Sequence, residues 1–175
     1  FFMDMGKQAQ GKGLDPEDSC VLSAEAAQTI TELVSVKLPR YYRLPPSEIQ
    51  VLTPMQRGTV GTANLNQLLQ ETLNPEGQGL RRGGFLFKSR DKVMQIKNNY
   101  ELRWRNQEDF TDGEGVFNGD VGFINSIDKE YNEVTVVFDG CRYVTYDFNQ
   151  LDELELAYAI TVHKSQGSEF PIVIM

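Results

Sequence analysis

Glu48-Ile49-Gln50-Val51-Leu52-Thr53-Pro54-Met55-Gln56-Arg57-Gly58-Thr59-Val60-Gly61-Thr62 runs from an apolar segment through a glycine-punctuated loop to the start of a helix. Ile49, Val51 and Leu52 make the short apolar run of a buried strand, and Pro54 stops it. Leu65, Leu68, Leu69 and Leu73 then recur at helical spacing until Asn74-Pro75. Strand, loop and helix in that order form the βα unit of an α/β fold. Free backbone N–H groups at the start of that helix, with Arg57, Thr59 and Thr62 beside them, suit a phosphate. An ordinary cap with a solvated Arg57 is the other reading of the same residues.

Upstream, Ser23-Ala24-Glu25-Ala26 is expected to open a helix, with Ser23 as N-cap and acid in the first turn. Ala27, Ile30 and Val34 give it an apolar face, and Pro39 is expected to end it. Pro45-Pro46 reads as a turn. Phe1-Phe2-Met3 suggests the end of a buried strand, followed by a Gly/Lys/Gln loop to about Ser19. Within that loop Gly6-Lys7-Gln8-Ala9-Gln10-Gly11-Lys12 fits the first seven positions of a Walker A phosphate loop. The eighth is Gly13 instead of Ser or Thr, and Leu14 to Asp18 cannot supply the apolar anchoring helix, so a plain loop is expected.

Downstream of about Glu76 the pattern changes. Phe85–Phe87, Lys92–Ile96, Val121–Ile127, Val134–Phe138 and Tyr143–Phe148 read as short strands, with turns at Asn118-Gly119 and Asp139-Gly140. They predict a small antiparallel barrel. Leu154 to Ile160 returns to helix-like composition, and Phe170 to Met175 reads as a buried parallel strand. The chain is therefore expected to be an α/β domain with a barrel inserted, its segments being 1–76, 77–153 and 154–175.

The formal net charge of −8 is unevenly placed: Lys37 to Arg105 holds 12 Lys/Arg against 5 Asp/Glu. Phosphate binding depends on such local excess and not on the total. A merely solvated basic face is the alternative. Cys20 and Cys141 have no metal-ligand spacing, no catalytic or metal residues are assigned, and a reducing cytoplasm is the expected compartment. No apolar run approaches the roughly 20 residues of a membrane span. Apolar runs at both ends suggest a piece of a larger protein, whose exposed terminal strand would favour self-association.

Thr161-Val162-His163-Lys164-Ser165-Gln166-Gly167-Ser168-Glu169-Phe170-Pro171 contains the single histidine of the 175 residues. Thr161, His163, Lys164 and Ser165 carry donors for phosphate oxygens, Gly167 permits close backbone approach, and Glu169 can accept from a sugar hydroxyl. A lone histidine makes neither a triad nor a zinc site.

This segment resembles motif V of superfamily 1 DNA helicases, in the RecD-like branch that includes the exodeoxyribonuclease V alpha subunit. Val51 to Thr62, followed by Leu65-Asn66 and Leu73-Asn74-Pro75, is similar to the same branch. So are Asp91-Lys92-Val93-Met94-Gln95, Asn98-Asn99-Tyr100 and Phe117-Asn118-Gly119-Asp120-Val121-Gly122. The resemblance implies a partial RecA-like (P-loop NTPase type) domain 2A, residues 1–76 and 154–175, with an inserted SH3-like β-barrel, 2B, at 77–153. It implies an ATP-dependent 5'→3' DNA helicase of recombination and repair. Thr161, His163, Lys164 and Ser165 would contact single-stranded DNA, Arg57, Thr59 and Thr62 would make a second strand contact, and Gly167 and Glu169 would face the nucleotide. ATP and Mg²⁺ are the cofactors implied, and RecB/RecC-type subunits the protein partners. Walker A, Walker B and motif VI find no counterpart here, so ATP hydrolysis by these residues alone is not expected.

A second function class stays open. Lys88, Arg90, Lys92, Lys97, Arg103 and Arg105, interleaved with Tyr100 and Trp104, fit a non-enzymatic nucleic-acid or protein-binding module centred on the barrel. Trp104 packed on the barrel is the bland alternative.

Overall fold

The computed structural model describes residues 16–76 and 79–175, with side chains from residue 24 onward. The strand expected at Phe1–Met3 and the loop Gly6–Lys12 lie outside the described residues. Two compact units result, one holding the residues up to Leu73 and from Tyr158 onward, the other Asn74–Ala157.

In the first unit, helix α1 (Pro16–Glu32) starts well before Ser23, which corrects the expected N-cap. Pro16 opens the helix at a position whose N–H is orphaned anyway. Pro39 does not end the helical run. A π-helical turn, Leu33–Lys37, follows α1 directly, and the Leu38 N–H bonds Leu33 O. Pro39 falls in the first turn of α2 (Leu38–Tyr42), where its missing N–H is tolerated, and Arg43 in the left-handed region (φ 57) closes it.

A short 3-10 turn, Pro46–Glu48, leads into β1 (Ile49–Thr53), in which Ile49, Gln50, Val51 and Thr53 are buried. After the loop, α3 (Thr62–Leu73) buries Leu65 and Leu69 completely. Each such leucine contributes about 2 kcal/mol from the apolar surface removed from water.

The second unit begins with a hairpin, β2 (Leu80–Arg82) and β3 (Phe85–Phe87). It continues through β4 (Lys92–Gln95), β5 (Asn99–Asn106), β6 (Asp112–Val116), β7 (Val121–Asp128), β8 (Glu133–Phe138) and β9 (Arg142–Asp147). A 3-10 turn, Phe148–Glu153, capped by Asp147, leads to β10 (Leu154–Leu156). The strand order is β10-β4-β7-β8-β9-β5-β6, with every pairing antiparallel. Val134, Val136, Phe138, Val144 and Tyr146 alternate inward at 0% exposure, which is the period of a half-buried sheet.

Three expectations are corrected here. The end strands β10 and β6 are not neighbours, so the pairings make an open sheet and close no barrel. Exposed charges at Asp112 and Glu114 and a register shift in β5–β6 blunt that edge. β5 and β6 were not foreseen as strands. Leu154 to Ile160, with its helix-like composition, instead forms β10 and the strand that follows it, because pairing with Val93, Met94 and Gln95 overrides local propensity.

Polar contacts within the second unit involve four of the similar blocks. Asn74 Nδ2 donates to Asp91 Oδ1 (2.7 Å), and the Lys88 backbone N–H donates to Asp91 Oδ2 (2.7 Å). Tyr146 Oη donates to Gln95 Oε1 (2.9 Å), and Gln95 Nε2 donates to Glu153 Oε2 (2.9 Å). The Gly119 N–H donates to Gln95 O and the Asn118 N–H to Asn98 Oδ1, both at 2.9 Å.

The chain then returns to the first unit as β11 (Ala159–Thr161) and β12 (Ile172–Ile174). Their order is β11-β1-β12, all parallel, with β1 in the centre.

Candidate nucleic-acid interface

The register of the parallel sheet places Thr53, the last residue of β1, opposite Thr161, the last residue of β11. The loops that leave these strands therefore start side by side at the carboxyl edge, where open α/β sheets bind their ligands.

The first loop is folded tightly against its helix. Thr53 Oγ1 donates to Val60 O (2.8 Å), and the Met55 N–H donates back to Thr53 Oγ1 (3.4 Å). The N–H groups of Gly61, Thr62 and Ala63 donate to the carbonyls of Gly58, Met55 and Gln56 at 3.0, 3.1 and 3.2 Å. Three of the backbone donors at the start of α3 are thus spent on loop carbonyls. Gly61 is required for this path, since a Cβ there would stand 2.5 Å from Arg57 O. What the loop presents outward is side chains. Arg57 is exposed and Thr59 and Thr62 are half-buried.

The second loop opens with a 3-10 turn, Val162–Ser165. His163, Gly167 and Glu169 are exposed, and Thr161, Lys164 and Ser165 are half-buried. Ser165 Oγ donates to Val162 O (2.8 Å), and the Ser168 N–H donates to Ser165 O (3.1 Å). Ser165 has a single hydroxyl proton, so it meets a phosphate as a donor only by releasing Val162. Gly167 sits in the left-handed region (φ 86) with open space around it.

Asn66 was missed as a site residue by sequence reasoning. It is 5% exposed. Its Nδ2 donates to Ala159 O (2.9 Å), and the Ala159 N–H donates to its Oδ1 (2.8 Å). Ala159 lies on the edge strand of the sheet formed by the described residues, so the amide supplies what a further strand would.

The basic cluster of the second unit is not one free patch. Lys88 and Lys92 are buried, with Lys88 Nζ donating to Asn74 O (3.0 Å) and Pro75 O (3.3 Å). Lys97 pairs with Asp152, Arg103 with Glu114 (3.2 Å) and Arg105 with Asp112 (3.8 Å). The Asp152 carboxylate raises the Lys97 pKa, and Lys97 lowers that of Asp152 in turn. Trp104 lies half-buried on the sheet, with the Arg142 guanidinium 5.8 Å from its ring centre. A groove of about 850 Å³ runs along this face, lined by Arg103, Arg105, Glu114, Tyr143 and Gln150 among others. Tyr100 and Phe117, both exposed, meet edge to face at 5.6 Å.

Residues 65–138 match the family described as the ATP-dependent RecD-like DNA helicase SH3 domain, and residues 156–175 match the UvrD-like helicase C-terminal domain. The ATP-dependent RecD2 DNA helicase of Deinococcus radiodurans is 38% identical over 129 residues, 74% of this chain and 16% of that protein. The chain belongs to the RecD-like helicases. An uncharacterized protein of Methanocaldococcus jannaschii is 36% identical over 94 residues, 49% of this chain. The chain spans 16% and 8% of the lengths of these two relatives.

Among the described residues no group of three His, Cys, Asp or Glu side chains is placed to hold a metal. No helix among them is long and apolar enough to cross a membrane.

Proposed function

We propose that this chain is the second motor portion, 2A with its SH3-like insert 2B, of an ATP-dependent 5'→3' DNA helicase acting in recombination and repair. The observation that carries the proposal is the pairing of Thr53 with Thr161, which sets the two candidate strand-contacting loops next to each other at one sheet edge. In this reading 2A is RecA-like and spans residues 1–76 and 154–175, with 2B between them.

Thr161, His163, Lys164 and Ser165 hold the backbone of single-stranded DNA, and Arg57, Thr59 and Thr62 hold it from the neighbouring loop. Such phosphate contacts fix register without reading sequence, as a translocating motor requires. Gly167 and Glu169, farther along the second loop, face the nucleotide, Glu169 accepting from its ribose. ATP and its Mg²⁺ are met mainly by groups outside this chain. Nucleotide-driven closure then shifts one grip relative to another along the strand. RecB/RecC-type subunits are protein partners consistent with this reading.

The test is strand displacement by the full-length protein on duplexes with a single 5' or a single 3' tail. Unwinding of the 5'-tailed duplex alone is expected, and equal unwinding of both would contradict the direction.

The second reading, a binding module centred on the inserted sheet, is favoured by the exposed Tyr100–Phe117 pair, because exposed rings stack on bases or on partner side chains. It predicts that Tyr100→Ala weakens strand binding more than Thr161→Ala does. The paired and buried cations of the same unit weigh against it.

A further inference from the structure

We infer that Asn66 is a positioning residue: it locks the stem of the Thr161–Glu169 loop to α3 and thereby sets where that loop projects. The inference rests on the reading of this loop as a strand contact. The geometry behind it is independent of that reading.

Ala159 precedes Thr161 by two residues, on a strand that, among the described residues, has a neighbour on one side only. The Val51 N–H donates to Tyr158 O across the paired side (3.4 Å). The Ala159 N–H and carbonyl turn the other way and are both met by the one buried amide of Asn66. A two-way amide bond of this kind fixes both the height of β11 along the sheet and its rotation. Leu or Ala at 66 would leave two backbone groups of a buried residue unsatisfied.

Asn66 also stands one helical turn beyond Thr62, where the first loop becomes α3. The same helix therefore begins in one candidate contact loop and clamps the base of the other. Asn66 holds the two at a fixed spacing without itself reaching the strand.

The experiment is a double-mutant cycle in the full-length protein, read by fluorescence titration of a labelled oligodeoxythymidylate. Asn66→Ala is expected to weaken binding more than about fivefold. Thr161→Ala added to it should cost little more, because the loop is already displaced, while Arg57→Ala should still cost its full factor. Asn66→Asp keeps the side-chain shape and the bond from the Ala159 N–H, and serves as the second variant. It should show the same non-additivity.

Unchanged affinity in both Asn66 variants, or Asn66 and Thr161 factors that simply multiply, would overturn the inference. Failure of Thr161→Ala alone to weaken binding would instead remove the strand-contact reading on which the inference rests. Amide hydrogen exchange gives a readout free of DNA: the Ala159 N–H should lose protection in Asn66→Ala while that of Ile174 does not. Unchanged Ala159 protection would also count against the clamp.

Discussion

Thr53 and Thr161 face each other in register at the carboxyl ends of adjacent parallel strands, so the loops that follow them rise from one edge of the sheet. Thr53 does more than end its strand. Its hydroxyl donates to Val60 O, seven residues on, and folds the loop back over the strand end.

Thr53→Val keeps the shape and removes that hydroxyl. The Val60 carbonyl and the Met55 N–H then lose their partner, and the variant is expected to be less stable by about 1–2 kcal/mol in urea denaturation. Strand binding should weaken with it, through the displaced Arg57–Thr62 loop. Wild-type stability in Thr53→Val would show that this bond does not hold the loop.

Asp91 is fully buried in the second unit and accepts from both Asn74 and the Lys88 backbone. Asp91→Ala strands both donors. A loss of about 2–5 kcal/mol is expected by chemical denaturation, the cost of leaving two buried donors without a partner. Asn74→Ala, which removes one donor only, should cost less.

The first unit was more legible in the sequence than the second. Ile49, Val51, Leu65 and Leu69 announce β1 and α3 because apolar side chains at strand and helix periods bury themselves. β5 was hidden by charge. Leu102 and Trp104 alternate with Glu101, Arg103 and Arg105, and that period of two was the available signal. β6 carried almost none, since Gly113 and Gly115 fill it for reasons visible only in three dimensions. A Cβ at Gly113 would stand 2.3 Å from the Trp104 ring. Leu154 to Ile160 misled because Leu, Glu and Ala favour helices, while the strands they pair with lie far away in sequence. Asn66 could have been noticed as a polar residue three positions before Leu69, on the face that α3 buries. Its partner could not.

Tyr146 gives a pH dependence of definite sign. Burial, with the Glu153 and Asp120 carboxylates adding to it, pushes the phenol pKa well above its usual value near 10.0. The folded state therefore holds the proton where the unfolded chain has released it. The contribution is fully present below about pH 10 and is lost as pH rises, at about 1.4 kcal/mol per pH unit. Tyr146→Phe should lower stability at neutral pH by about 1 kcal/mol through the lost bond to Gln95. The gap between the two proteins should close above about pH 10. Parallel stability curves up to pH 11 would refute the assignment.

Gly122 is buried inside β7, and a Cβ there would stand 2.6 Å from Val137 O on the paired strand. Backbone cannot yield as a side-chain tip can. Gly122→Ala is expected to cost about 1–3 kcal/mol, the usual range for overpacking, measured by the urea midpoint. Gly83→Ala in the β2–β3 turn meets no atom within 4 Å and should cost less, through its positive φ alone.

In the proposed function the Thr161–Ser165 loop, not the inserted sheet, grips the DNA strand. This grip is tested most directly by titrating labelled single-stranded DNA with the full-length protein and its Thr161→Ala and Tyr100→Ala variants at fixed salt. Thr161→Ala is expected to weaken binding by about fivefold or more, with Tyr100→Ala near wild type. Loss of binding in Tyr100→Ala with Thr161→Ala unaffected would contradict it.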